Sequence, residues 1–176
     1  MKTITKILSI AAVALTIATT NADAQSMSGR TPGVRLGFGV NGGVAEKGSP
    51  FEYGVGADAR LQLDMTKDVA ITATGGYTRL MAKDNMGDDY DFIPAKGGVK
   101  VFPFAGFYGM GEIGAGFGIK DGSKTALIYG GGIGYEWLGG IDISARYEGY
   151  KQDSASSTYR PQTGQFALRI AYGFKL

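Results

Sequence analysis

The feature that most constrains this chain is a two-residue alternation of side-chain character, sustained in eight separate stretches from Val34 to the C-terminus. Over residues 52–65 the odd positions are Tyr53, Val55, Ala57, Ala59, Leu61, Leu63 and Met65, while the even ones are Glu52, Gly54, Gly56, Asp58, Arg60, Gln62 and Asp64. Successive side chains of an extended strand point to opposite faces, so one face of this segment is wholly apolar and the other is polar, charged or glycine. The last segment repeats the pattern: Phe166, Leu168, Ile170, Tyr172, Phe174 and Leu176 share one face, with Gln165, Arg169 and Lys175 on the other. Residues 34–44, 69–82, 92–102, 107–120, 124–137 and 141–152 alternate in the same way, and no segment holds apolar residues at helical spacing for long. The expected fold class is all-β: an eight-stranded antiparallel up-and-down barrel.

The connectors alternate in length. Residues 66–68, 103–106 and 138–140 are tight turns, whereas residues 46–50, 83–91 and 153–163 are longer and polar; only residues 121–123 break the rule. Short turns thus fall at one end and loops at the other, as in transmembrane barrels, and strands of about 11 residues cross a bilayer when tilted. A water-soluble barrel puts its apolar face inward, and a membrane barrel puts it outward. Here that face carries Tyr135, Trp137, Tyr172 and Phe174 near the turn ends, and Tyr53, Tyr77, Phe92, Phe117, Tyr129, Tyr147 and Phe166 toward the loop ends. Two aromatic belts around an Ala, Val, Ile and Gly middle are the pattern of interfacial anchoring, so the apolar face is read as lipid-facing.

The first residues supply an address. Lys2 and Lys6 precede the apolar run of residues 7–18, and Ala22-Asp23-Ala24 forms an A-x-A cleavage site before Gln25. This is the layout of a secretory signal peptide, and the run is too short to span a bilayer as a helix. The expected organisation is a signal peptide over residues 1–24, an N-terminal periplasmic segment over 25–33 and the barrel over 34–176. Cleavage leaves 16 basic and 15 acidic residues, which gives no electrostatic case for nucleic acid. The chain has no His and no Cys. Serine hydrolase triads, His-based zinc sites, disulfides and thiolate nucleophiles are therefore excluded, no cofactor is expected, and the chain is read as a non-enzyme.

With the apolar face outward, the lumen receives Arg35, Glu52, Asp58, Arg60, Lys96, Lys100, Glu112, Glu136, Asp142, Arg146, Glu148 and Arg169, six of each sign. Charges in a narrow lumen must be paired or hydrated. The turn at residues 103–106 sets Glu112 opposite Gly98 and diagonal to both Lys96 and Lys100, its expected partners. The turn at 138–140 sets Glu136 opposite Asp142, a like-charge pair that wants a cation such as Lys175. Many of the 30 glycines also face inward, among them Gly39, Gly98, Gly116 and Gly134, and are expected to leave lumen space for long charged side chains. Eight strands enclose an interior that side chains can fill, so the expectation is a salt-bridged plug rather than an open pore. The acidic stretch with Asp84, Asp88, Asp89 and Asp91 is a weak candidate for Ca²⁺, lacking the ligand spacing of an EF-hand. Gly37, Gly39 and Gly42 match G-x-G-x-x-G, but within a strand pattern and with no helix following.

The terminal strand, Arg169-Ile170-Ala171-Tyr172-Gly173-Phe174-Lys175-Leu176, resembles the signal read by the barrel-assembly machinery. Arg169, Ala171 and Phe174 fit that pattern, while Leu176 stands where a terminal aromatic is usual and Ala171 where Gly is. With this strand and the eight-segment pattern, the chain resembles the small outer-membrane β-barrel proteins, which include the transmembrane domain of outer membrane protein A. The resemblance implies residence in the outer membrane with both barrel termini periplasmic. It also implies contact with lipid bilayer and lipopolysaccharide, and handling by periplasmic chaperones and the assembly machinery. The expected role is a structural or surface-interaction scaffold that meets surface ligands through its long loops, especially residues 153–163 with Tyr159 and Arg160; the alternative is a narrow porin for small solutes or ions.

Overall fold

A computed structural model describes residues 31–83, 88–120, 125–152 and 162–176. Eight strands follow one another: β1 (Gly33–Ala45), β2 (Phe51–Asp64), β3 (Val69–Ala82), β4 (Tyr90–Phe104), β5 (Phe107–Gly118), β6 (Ala126–Glu136), β7 (Ile141–Gln152) and β8 (Gln162–Lys175). Each pairs antiparallel with the next, and β8 pairs back onto β1, closing the barrel and leaving no unpaired edge. The closing seam runs from Arg35 opposite Lys175 to Ala45 opposite Gln165, and Leu176 N–H donates to the Val34 carbonyl at its foot.

The register fixes the barrel's shape. Passing from partner to partner around the wall, Arg35 leads to Gln62, Thr72, Gly98, Glu112, Gly130, Glu148, Gln165 and then Ala45, ten residues further along the strand where it began. A stagger of this size tilts the strands by roughly 35–45° from the barrel axis. It also sets which side chains share a level of the lumen. The tight hairpins lie at the end where β1 begins and β8 finishes. Thr66 Oγ1 accepts from the backbone N–H groups of Asp68 and Val69 in the first, and glycines with positive φ, Gly106 (+85°) and Gly140 (+95°), turn the other two. This is called the turn end below and the opposite one the loop end.

The exterior is apolar and the interior charged. Val40 and Leu168 are 62% and 63% exposed on the outer wall, whereas Lys100 and Arg169 are each 1% exposed inside. That inverts the distribution of a water-soluble domain, because alternation on a closed wall must send one face in and the other out. Tyr135 and Trp137 meet edge to face at 4.6 Å, and Tyr172 and Phe174 do so at 4.9 Å, all four on the outer wall near the turn end.

Several details depart from the sequence expectations. Glu52 does not enter the lumen: the register shifts between Phe51 and Tyr53, so Phe51 turns inward and Glu52 is exposed. Asp64, on the same face as Asp58 and Arg60, points inward instead, and the six-to-six charge balance survives. Phe92 is not part of an outer belt. It shares parity with Lys96 and Lys100 and is 1% exposed inside the barrel. Strand β4 extends beyond 92–102 at both ends, β5 and β6 are shorter than 107–120 and 124–137, and Thr163 belongs to β8 rather than to a loop. Residues 1–30, Asp84 and the segment with Tyr159 and Arg160 lie outside the described residues.

Nor do the inward glycines leave empty space. A Cβ at Gly39 would lie 2.9 Å from the Arg169 guanidinium, one at Gly98 2.8 Å from Glu112 Cγ, one at Gly116 2.8 Å from the Phe92 ring, and one at Gly134 2.5 Å from the Tyr108 ring. Each glycine is a cradle for a large side chain on a neighbouring strand. Gly134→Val is therefore expected to push Tyr108 off Asp142 and cost about 1–3 kcal/mol, read as a lower urea midpoint for unfolding of the barrel in lipid vesicles.

Candidate functional site

The lumen holds twelve charged side chains, and they sort by height. At the turn end, Arg35 bonds Asp64 at 2.7 Å and lies 3.5 Å from Glu136. Gln62 Nε2 donates to Asp64 (2.9 Å) and to Glu136 (3.2 Å). Lys100 Nζ donates to Glu136 (3.0 Å) and Asp142 (2.6 Å), with the Tyr108 ring centroid 4.1 Å away. Tyr108 OH donates to the other oxygen of Asp142 at 2.7 Å. A single lysine thus holds together two carboxylates that stand directly opposite each other on β6 and β7.

At mid-height Arg169 meets Asp58 through Nε and Nη2, and Asn41 Nδ2 donates to the same carboxylate at 3.3 Å. Arg60 donates from Nη2 to Glu112 (2.8 Å) and from Nε to Thr74 Oγ1 (3.0 Å). Lys96 bridges Glu112, at 3.3 Å, and Glu148, and Arg146 lies 3.6 Å and 3.3 Å from the same two carboxylates. Above them Glu148 accepts from Tyr150 OH (2.8 Å) and Gln165 Nε2 (3.2 Å). The chain of contacts alternates sign at nearly every step, which is what makes twelve charges tolerable in so narrow a space.

Glu112 does stand opposite Gly98, with Lys96 as its diagonal partner. Lys100 does not reach Glu112: the stagger carries it one level toward the turn end, where it is the cation between Glu136 and Asp142. Lys175, expected there, instead donates to Thr31 Oγ1 on the exposed rim. Gln62, Asp64, Tyr108, Tyr150 and Gln165 complete the network and were not singled out from the sequence. Each shares the parity of the charged positions on its own strand, a signal sufficient to have placed it inward.

Of the acidic stretch, Asp91 accepts from Arg79 Nε (2.8 Å) and Tyr77 OH (2.7 Å) and lies 3.1 Å from Lys120 Nζ, while Asp89 accepts from the Ala82 N–H. Asp88 is exposed. Among the described residues no three His, Cys, Asp or Glu side chains form a metal-binding group.

The packed lumen leaves little room. At the turn end a cavity of about 30 Å³ is bounded by Arg35, Arg60, Gln62, Glu136, Asp142 and Arg169, with Gly37, Gly140 and Gly173 beside it. That is room for about two water molecules. Among the described residues Arg60 Nη1, Arg146 Nη1 and Thr72 Oγ1 are buried near mid-height with no hydrogen-bond partner, so this part of the lumen can take up water.

No family model matches the chain, and no curated protein matches it. Solved structures do. The crystal structure of Ail, the attachment invasion locus protein of Yersinia pestis, superposes with a TM-score of 0.56 at 20% identity, covering 82% of this chain and 100% of that one. The N-terminal β-barrel domain of Pseudomonas aeruginosa OprF gives 0.55 at 13% identity, with 82% and 100% coverage. A de novo designed transmembrane β-barrel gives 0.51 at 15% identity, with 82% and 98% coverage. At these identities the likeness concerns the fold, and this chain has the eight-stranded closed-barrel fold of the small outer-membrane β-barrel proteins.

Proposed function

We propose that this chain is an outer-membrane β-barrel of a Gram-negative-type bacterium, closed to solutes, that serves as a structural and surface-interaction scaffold. The observation that carries the reading is the inversion of the fold: an apolar outer wall with aromatic pairs near one end, around a lumen whose six acids and six bases pair with one another. Such an exterior is at home only in hydrocarbon, and side chains fill the interior of an eight-stranded barrel. In this reading residues 1–24 are removed on secretion, residues 25–33 and both barrel termini lie in the periplasm, and the strand from Arg169 to Leu176 is what the assembly machinery reads. The bilayer and lipopolysaccharide surround the wall. The loop end faces outward, and Ail, which shares the fold, has been crystallised in complex with the heparin analogue sucrose octasulfate.

The folded protein is expected to migrate differently before and after boiling on a gel, to give no resolvable channels in planar bilayers and no swelling of liposomes in isotonic sugar. Swelling or channels would favour the narrow-porin alternative. The interaction role is tested by deleting residues 153–161. Bacteria displaying the shortened barrel should adhere less to cultured cells or heparin-coated beads while the gel shift is kept, and unchanged adherence would remove the role from this loop.

A further inference from the structure

The network described above explains how charges are tolerated in the lumen, but it is not the most water-tight part of it. At the loop end Phe51, Leu80, Tyr90, Phe92, Ile128 and Tyr150 converge from β2, β3, β4, β6 and β7, each no more than 5% exposed. Their rings interlock: Tyr90 stacks on Phe92 at 5.1 Å, and Phe92 meets Tyr150 edge-on at 5.6 Å. Gly116 on β5 leaves the space that the Phe92 ring occupies. The register places these residues in one layer of the lumen above Glu148 and under the loop rim, where Gln165 of β8 flanks them and donates to Tyr150 OH at 2.6 Å. A smaller apolar group, Ala70, Phe102, Tyr108 and Met110, lies at the turn end, but it comes from β3, β4 and β5 alone and so lines one side of the lumen.

We infer that this cluster is an apolar plug, and that it, rather than the salt-bridge network, is the seal that keeps ions from crossing the barrel. The inference rests on the closed-lumen reading. Below the plug the lumen is hydratable: it holds the cavity of about 30 Å³ at the turn end and, at mid-height, buried guanidinium and hydroxyl atoms with no hydrogen bond among the described residues. Water and a small ion can be passed among fixed charges and dipoles, but a layer of packed aromatic and aliphatic side chains offers an ion little to replace its hydration shell. The lumen is therefore a blind vestibule, open toward the turn end and shut at the loop end. Anything that withdraws Phe92 from its place over Gly116 would connect the two sides without breaking a single ion pair.

Three proteins in planar bilayers test this, each first shown to be folded by its gel shift: the unaltered barrel, the plug variant Phe92→Ala/Ile128→Ala, and the network variant Lys96→Gln/Glu112→Gln. The unaltered barrel and the network variant should show no conductance steps, and the plug variant should gain them. A folded plug variant that stays silent, or a network variant that conducts by itself, overturns the plug. Channels in the unaltered barrel overturn the closed-lumen reading itself. A second measurement needs no change in the plug. The chain has no Cys, so Gln62→Cys beside the turn-end cavity carries the only thiol. In proteoliposomes of fixed orientation a small charged methanethiosulfonate should modify it from the turn side only, and equal labelling from the loop side overturns the proposal.

Discussion

Replacing Lys100 with Met is expected to destabilise the folded barrel by about 3–5 kcal/mol, the range for removing one partner from a buried ionic group. Lys100 is 1% exposed and donates to both Glu136 and Asp142, which face each other across β6 and β7. Methionine has a similar length and keeps the packing against Phe102 and Tyr108, so the loss is electrostatic: two carboxylates are left side by side in a medium of low dielectric. Arg35, 3.5 Å from Glu136, and Arg169, 3.8 Å from Asp142, are the nearest remaining cations, and each is already engaged with another carboxylate. Urea unfolding in lipid vesicles, followed by the fluorescence of the single Trp137, reads the loss directly. Adding Asp142→Asn should return a large part of it, because the double variant removes one of the opposed charges along with the cation. If Lys100→Met is as stable as the parent, the network contributes nothing to stability.

Ile113→Arg is expected to cost about 2–4 kcal/mol in a bilayer, and little or nothing if the barrel were a water-soluble protein. Ile113 sits at the middle of β5, 55% exposed on the outer wall, with Gly97 and Tyr129 as its neighbours in the sheet. In water, an arginine at so open a position is nearly neutral. In hydrocarbon it must either carry its charge into the acyl region or snorkel to the headgroups. The same substitution near the rim, at Val55, should cost less than half as much, because the penalty falls with distance from the midplane. Comparing the two variants by urea midpoint in vesicles therefore measures depth, and equal midpoints for both would remove the bilayer from the account.

The alternation of residues 52–65 and of the last strand contained the fold almost in full, because period two on a chain with no helical stretch leaves a sheet as the only way to satisfy the backbone. The alternating connector lengths then ordered the strands, and the list of inward charges followed from parity. Parity fails where a strand is irregular. The bulge at Phe51 and Tyr53 exchanged Glu52 for Phe51, and nothing in the residue types announces it, since Phe and Glu are both compatible with a strand end. Phe92 was a different case: its parity was legible, but a large ring beside a loop reads as a belt residue until Gly116 is seen to make room for it inside.

Pairing within the lumen was the least legible part, and the reason is geometric. Sequence separation fixes which residues face each other across one hairpin, as for Gly98 with Glu112 and Glu136 with Asp142. It does not fix contacts across the barrel, which depend on how far the closed wall is staggered. That stagger of ten residues emerges only when β8 meets β1, and it brings Lys100 of β4 to Asp142 of β7 and Arg169 of β8 to Asp58 of β2. The sequence by itself determined a barrel with an apolar outside and a charged inside, because alternation is a local property of each strand. Only the tertiary structure decided which charge answers which, and that an apolar cluster gathers at the loop end, because both depend on residues that meet through the lumen of a tilted wall.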